Sequence, residues 1–388
     1  MLKKLMTIDI PGDRVFGLDA LRAVAIFLVV YAHGAYGLAV LFPKALVQLP
    51  LFDGVSIFFV LSGYLIGTIL MKIFECGPVT GGIVWNFWLR RWLRTLPNYF
   101  LILIVLVVYQ IQTGALDTPD LWRYFLFMQN FASVHPAFFP EAWSLSVEEW
   151  FYILLPLLLL VMVLLGLRVR LAFAYAIAVT IVASLVYRYG IVGELDFESS
   201  DMADLIEWDQ HLRKQVLTRL DSLMYGVLGA YLHYYRKEWW LRHKLTLLVA
   251  GIALLLFHKY MSYSMDDSMS EYAVYFGVFS FSVISVGTLF LLPWLSQLHI
   301  TNGLIYEVVT RLSLISYSMY LVHFTLVRNI LLPETLTFVS GFGINQVIAV
   351  SYVLYWLYTI VLSILLYKFF ELPMMNLRAK LPVQRNNR

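Results

Sequence analysis

The stretch Leu18–Phe42, LDALRAVAIFLVVYAHGAYGLAVLF, decides how the chain is read. As a helix it is long enough to cross a hydrocarbon layer of about 30 Å, yet it carries Arg22 near its start and His33 eleven residues later. At about 100° and 1.5 Å per residue, eleven steps return to within roughly 20° of the same helix face and about 16 Å further along it. An arginine in hydrocarbon costs about 2.5–3.5 kcal/mol on insertion scales, so this face must border a polar cavity rather than lipid. The remainder of the chain has to supply that cavity.

The composition agrees with a membrane setting. Of 388 residues 61% are hydrophobic and only 14% charged, and the mean hydropathy of +0.76 lies outside the soluble range. A net charge of +3 gives no reason to expect a nucleic-acid partner. The single cysteine, Cys76, excludes an internal disulfide framework and any CxxC metal or redox site, and no metal centre is expected. The opening MLKKLMTIDIPGDRVFG lacks an apolar core, so Leu18–Phe42 reads as a signal anchor that stays in the membrane. Without repeats or low-complexity tracts, residues 1–388 read as one membrane domain.

Apolar runs predict an all-α integral membrane protein with about ten spans. They fall near 18–41, 54–73, 95–111, 147–167, 171–189, 220–235, 245–260, 272–294, 312–332 and 346–370. Of the 28 Lys and Arg, nineteen then lie on the side of the N-terminus and eight on the other, with Arg22 inside the first span. By the positive-inside rule both termini are cytoplasmic. The acidic stretch 193–210, GELDFESSDMADLIEWDQ, is the longest outer connection, either a solvated loop or a lid over an acceptor site.

With that orientation the polar residues acquire positions. Arg22 lies toward the cytoplasm and His33 in the outer half of the first span. The inner connection VWNFWLRRWLRTLPNYF holds Arg90, Arg91 and Arg94 among Trp85, Trp88 and Trp92. This is ordinary interfacial anchor composition, but Arg91 and Arg94 share a helix face and are able to clamp a phosphate-rich anion. In EAWSLSVEEWFYILLP, Ser146 and Glu149 match a helix-capping box, which leaves Glu148, at the outer level of His33, either an interfacial carboxylate in water or paired with a lysine, or a functional group. A histidine and a carboxylate at one depth suggest acid and base chemistry. His323 reads as either a second member of the His33 site or a histidine satisfied by a neighbouring helix. Asp19 is expected to neutralise Arg22, and Glu371, at the inner surface, to pair with an arginine just before Pro373 stops the last helix.

Taken together these motifs resemble the acyltransferase 3 family, membrane acyltransferases with typically ten spans that modify extracytoplasmic acceptors. The arginine, ten residues, histidine signature runs from Arg22 to His33. DGVSIFFVLSGYLIG at 53–67 resembles the family's FFxLSG helix, and RWLR at 91–94 its RxxR motif. WSLSVEEWFYILLP, RLDSLMYGVLGA, ISYSMYLVHF and the terminal FELP continue the likeness in order. Ser56 stands where many members have aspartate, so no catalytic role is assigned to it. Some members carry a fused extracytoplasmic hydrolase-like domain; none is expected here, and a separate partner protein is the expected source of any such step.

The resemblance implies an acyl-CoA donor, acetyl-CoA above all, on the cytoplasmic side of a plasma (inner) membrane. It implies a carbohydrate or glycolipid acceptor beyond or within the membrane, with membrane lipid the other partner. Arg91, Arg94 and Arg90 are expected to hold the donor's phosphates. Arg22 is expected to bind the donor and developing oxyanion charge, His33 to act as base or transient acyl carrier, and Glu148 to orient His33. The competing class is a secondary transporter of an anionic or sugar-like solute, which also holds intramembrane charges. A purely structural or lipid-binding role for Arg22 and His33 is the third.

Overall fold

The structure is a computed structural model that describes residues 8–12, 14–49, 52–114, 120–195, 202–263, 271–337, 341 and 343–378. Among these there is no strand. Ten principal helices occur where ten apolar runs were expected. They are α1 (Phe16–Gly34), α2 (Gly54–Glu75), α3 (Gly81–Thr113), α4 (Ala142–Leu164), α5 (Val169–Glu194), α6 (Leu220–Tyr235), α7 (Lys244–Tyr263), α8 (Tyr275–Leu295), α9 (Leu304–Val322, continued as a wider π-helix over His323–Leu331) and α10 (Ile344–Leu377). All but α6 and α9 are individually long and apolar enough to cross a membrane. Short α6 is walled by its neighbours, and the more polar α9 is buried in its second half.

Helices α1, α2 and α8 are central, whereas α7 and α10 line the rim. The crossing of α2 with α6 is the closest. A side chain at Gly63 would strike the backbone of Leu223, and one at Gly226 the backbone of Val60. Small residues are what let two helix backbones touch in a membrane, where burial of apolar surface gives no drive to associate. The LSG and YGVLG sequences are thus a packing device that fixes α2, one wall of the central cavity.

Several sequence expectations are corrected. Arg91 and Arg94 lie within the continuous 33-residue α3 rather than on a connection before it. That helix is about 50 Å long, more than a bilayer core needs. Ser146 and Glu149 form no capping box, because α4 already begins at Ala142. Ser146 instead accepts from Gln129, and Glu149 from the Thr95 hydroxyl at 2.7 Å. Pro373 does not stop the last helix. The chain widens to a π-helix over Tyr367–Glu371 and continues as α-helix from Leu372, so Pro373 follows a turn where the regular i→i−4 ladder is already interrupted.

The segment before α4, expected as an outer loop, folds back into the bundle. Tyr99, fourteen residues and about 21 Å before the end of α3, donates its hydroxyl to the Tyr124 carbonyl at 2.9 Å. Trp150 donates to the Phe127 carbonyl, and Asn130 bridges the carbonyls of Trp143 and Lys214. Gln129, Asn130, His135 and Glu141 are all buried. Irregular backbone buried inside a protein is tolerated only where other protein groups satisfy it, as these bonds do. The acidic stretch 193–210 is likewise no simple solvated loop. Residues 196–201 lie outside the described residues, but Met202–Trp208 is helical, Trp208 stacks on Phe281, and Asp209 pairs with Arg213 and Lys214.

Candidate active site

A cavity of about 430 Å³ lies between α1, α2, α3, α4 and α9. From α2 it receives Phe58, Ser62, Leu65 and Ile69, a stripe of helical spacing. Helix α1 contributes Arg22, α3 contributes Arg91 and Arg94, and α4 contributes Ser144 and Glu148. Four of the six residues singled out from sequence therefore meet in one space. Arg90, half-buried, does not line it.

Around Glu148 the hydrogen bonds run in one direction. Arg91 Nη2 donates to the Tyr152 hydroxyl, Ser62 shares a 2.6 Å bond with that hydroxyl, and Tyr152 donates onward to Glu148 Oε2 at 2.7 Å. Tyr152 thus joins the guanidinium to the carboxylate. It is held in place partly because Pro156 has no N–H for the Tyr152 carbonyl; Trp88 Nε1 supplies the donor instead at 2.9 Å.

Arg22 and Arg94 differ from Arg91. Neither makes a hydrogen bond or ion pair with a described residue, although both face the cavity that Glu148 lines. Asp19, expected to neutralise Arg22, is taken up by Arg14 and by Ser313 at 2.8 Å. Glu371, expected at the surface beside an arginine, is buried and accepts from Asn98 at 3.0 Å and Ser318 at 2.6 Å. Two guanidiniums are left aimed at the space itself.

The far end of the cavity is closed by Ser144 and Tyr320, whose hydroxyls lie 2.6 Å apart; Tyr320 also donates to the Glu141 carbonyl at 3.0 Å. One turn beyond Tyr320 stands His323, fully buried, with its Nε2 2.9 Å from His33 Nδ1. Phe324 covers His33 edge-on at 4.6 Å. His33 is not among the residues that line the cavity; Tyr320, which lines it, packs against His323 at 5.6 Å. The expected contact of His33 with Glu148 is corrected accordingly. Because α4 starts inside the bundle, Glu148 lies deeper than a span beginning at the membrane surface would place it, beside the arginines, and the partner of His33 is His323.

Sequence reasoning missed Tyr152, Tyr320 and Glu141. Tyr152 was detectable as the residue one helical turn after Glu148, on the same face. Glu141 carries no such signal. Its carboxylate accepts from the Thr325 N–H at 3.0 Å and the Thr325 hydroxyl at 2.5 Å, tying the start of α4 to the π-helix that begins at His323. Burial pushes the Glu141 carboxyl up to about 7 despite these bonds. Burial, reinforced by nearby Lys214, drives the His135 imidazole down to about 3.

A protein-family model described as an acyltransferase domain, of the acyltransferase 3 type, matches residues 15–368. The chain belongs to that family. Among similar acyltransferases is the peptidoglycan O-acetyltransferase OatA of Listeria monocytogenes, 32% identical over 154 residues, which is 36% of this chain and 23% of the relative. A putative peptidoglycan O-acetyltransferase of Bacillus subtilis, YrhL, is 33% identical over 156 residues, again 36% and 23% of the two chains. A putative O-acetyltransferase of Staphylococcus aureus is 31% identical over 157 residues, 37% and 24%. The match thus spans about a quarter of the length of these relatives. No solved structure matches the acyltransferase chain.

Proposed function

We propose that this acyltransferase moves an acyl group, acetyl first among candidates, from acyl-CoA to a hydroxyl of an extracytoplasmic or lipid-linked carbohydrate. The observation that carries the reading is the cavity with two guanidiniums, unpaired among the described residues, and, beyond Tyr320, the histidine pair. The similar relatives named for peptidoglycan O-acetylation make a cell-wall glycan the first acceptor to test. The charge bias along the sequence supports cytoplasmic termini in a plasma (inner) membrane, with the arginines toward the donor's side.

In this reading Arg91 and Arg94, with Arg90 nearby, hold the nucleotide phosphates, while Arg22 holds the donor and the charge that develops on the thioester oxygen. The pantetheine arm spans the roughly 16 Å between Arg22 and His33. His33 takes the acceptor's hydroxyl proton as the new C–O bond forms and the C–S bond breaks, and that proton is returned to the leaving thiolate. Alternatively His33 carries the acyl group transiently, which rapid-quench trapping of an acyl-imidazole distinguishes. Glu148, through Tyr152, offsets the positive charge of the arginines when no donor is bound.

The test is His33→Ala at normal expression, read by mass spectrometry of surface glycans. Acceptor acylation is expected to be lost. Its persistence in cells carrying the folded variant overturns the assignment.

A further inference from the structure

The protons on the two histidines are fixed by what surrounds them. His323 Nδ1 lies 2.8 Å from the Tyr320 carbonyl and 3.2 Å from that of Met319. Carbonyls only accept, so Nδ1 carries a hydrogen. In the neutral ring the other nitrogen, Nε2, then holds a lone pair, and it faces His33 Nδ1 at 2.9 Å. The proton between the two rings therefore belongs to His33, and the lone pair of neutral His33 is left on its Nε2.

We infer that His323 is a positioning residue. Through the chain from the Tyr320 carbonyl to His323 to His33, it holds His33 in the Nδ1–H tautomer and reserves Nε2 for the acceptor's proton. A partner that fixes an imidazole tautomer is a general requirement of histidine catalysis; here an imidazole set by a backbone carbonyl fills that place. When Nε2 gains the acceptor proton, the positive charge on His33 is stabilised by its Nδ1–H bond to the His323 lone pair, and no proton moves between the rings. The position of His323 is itself held by Glu141, which grips Thr325 two residues on, and by Tyr320, which Ser144 and the Glu141 carbonyl anchor from the cavity side.

The inference rests on the proposed role of His33, and the experiment separates the two. His323→Gln offers an amide oxygen near the position of Nε2 and is expected to retain activity within about tenfold. His323→Leu removes the acceptor and His323→Lys supplies only donors; both are expected to lose about 10²–10⁴-fold in kcat, the range for a misplaced general base, with the donor KM unchanged. In a His33→Ala background, His323→Leu should cause no further loss. Independently of any variant folding, ¹⁵N NMR of histidine-labelled wild-type protein in bilayers should show His33 protonated at Nδ1 and bare at Nε2. Protonated Nε2 on His33, or wild-type kcat in folded His323→Leu, overturns the inference. Full activity in His33→Ala overturns the acyltransfer reading of His33 instead, and leaves the NMR assignment standing.

Discussion

Arg188 and Arg22 are both arginines within apolar helices, and the bundle treats them in opposite ways. Arg188, on α5, is fully buried, and its charge is met by a carboxylate. Its two terminal nitrogens meet both oxygens of Asp221 on α6 at 2.9 and 2.7 Å, and they also reach the Thr218 carbonyl and the Ser282 hydroxyl. Arg22, on α1, borders the cavity and has no such partner; the adjacent Asp19 is held by Arg14. The first is a clamp between helices, whose charge is cancelled on the spot. The second keeps its charge available. In a membrane the arginine that binds something else is marked by the partner it lacks, because leaving it unpaired has a cost that only a ligand or a polar space offsets.

The comparison predicts separable failures. The largest effect belongs to the clamp. Asp221→Ala strands a buried guanidinium and should cost about 3–5 kcal/mol of stability, read as a lower melting temperature in detergent and poor recovery from membranes. The double change Arg188→Met with Asp221→Leu should recover most of it. A double variant as unstable as the single one breaks the clamp half of the comparison. Next comes Arg22→Ala, which abandons no hydrogen-bond or ion-pair partner among the described residues. Its melting temperature should be unchanged or raised, while transfer falls about 10²–10³-fold, as for loss of one oxyanion donor. Wild-type transfer by that variant removes Arg22 from the reaction.

The smallest effect sharpens the contrast by a third buried charge, Glu141, which is bonded but not ion-paired. Its folded pKa is raised from 4.5 to about 7, so the folded state binds the proton more tightly. The stability this supplies is fully present below about pH 4.5 and is lost as pH rises toward 7. His135, driven down to about 3, works in the opposite sense as pH falls below its ordinary 6.5, so the wild-type curve alone mixes the two. The difference between wild type and Glu141→Gln isolates the carboxyl. That difference should change across pH 4.5–7 and be flat above it, measured by thermal unfolding in detergent.

Helix positions were legible because hydropathy is summed over many residues, and even the 16-residue α6 was placed. The convergence of Arg22, Arg91, Arg94 and Glu148 was also within reach, since each lies in a motif with a face and a depth. What failed were partner assignments. Asp19 was given to Arg22 by proximity in sequence, yet Arg14 and Ser313, nearly three hundred residues apart, claim it. Glu148 was given to His33 by depth, yet depth was measured from a helix start that lies inside the bundle. The Ser146 and Glu149 cap failed for the same reason. Spacing along one helix is local information, whereas the partner of a side chain depends on which helix comes alongside.

The folded-back segment before α4 also constrains the order of assembly. Its carbonyls take donors from distant elements, among them Tyr99 on α3, Trp150 on α4, the Val216 N–H and Tyr320 on α9, and Asn130 binds the chain just ahead of α6. During insertion, α3 has already been made when residues 121–141 emerge from the ribosome, but α4, residues 214–216 and α9 have not. The segment must wait at the membrane surface and dock after α6 has been threaded. Glu141 is at its end, so the register between α4 and His323 is set late in biogenesis. Pulse-labelled protease accessibility of this segment should therefore disappear after the helices have been integrated, as a separate and slower phase.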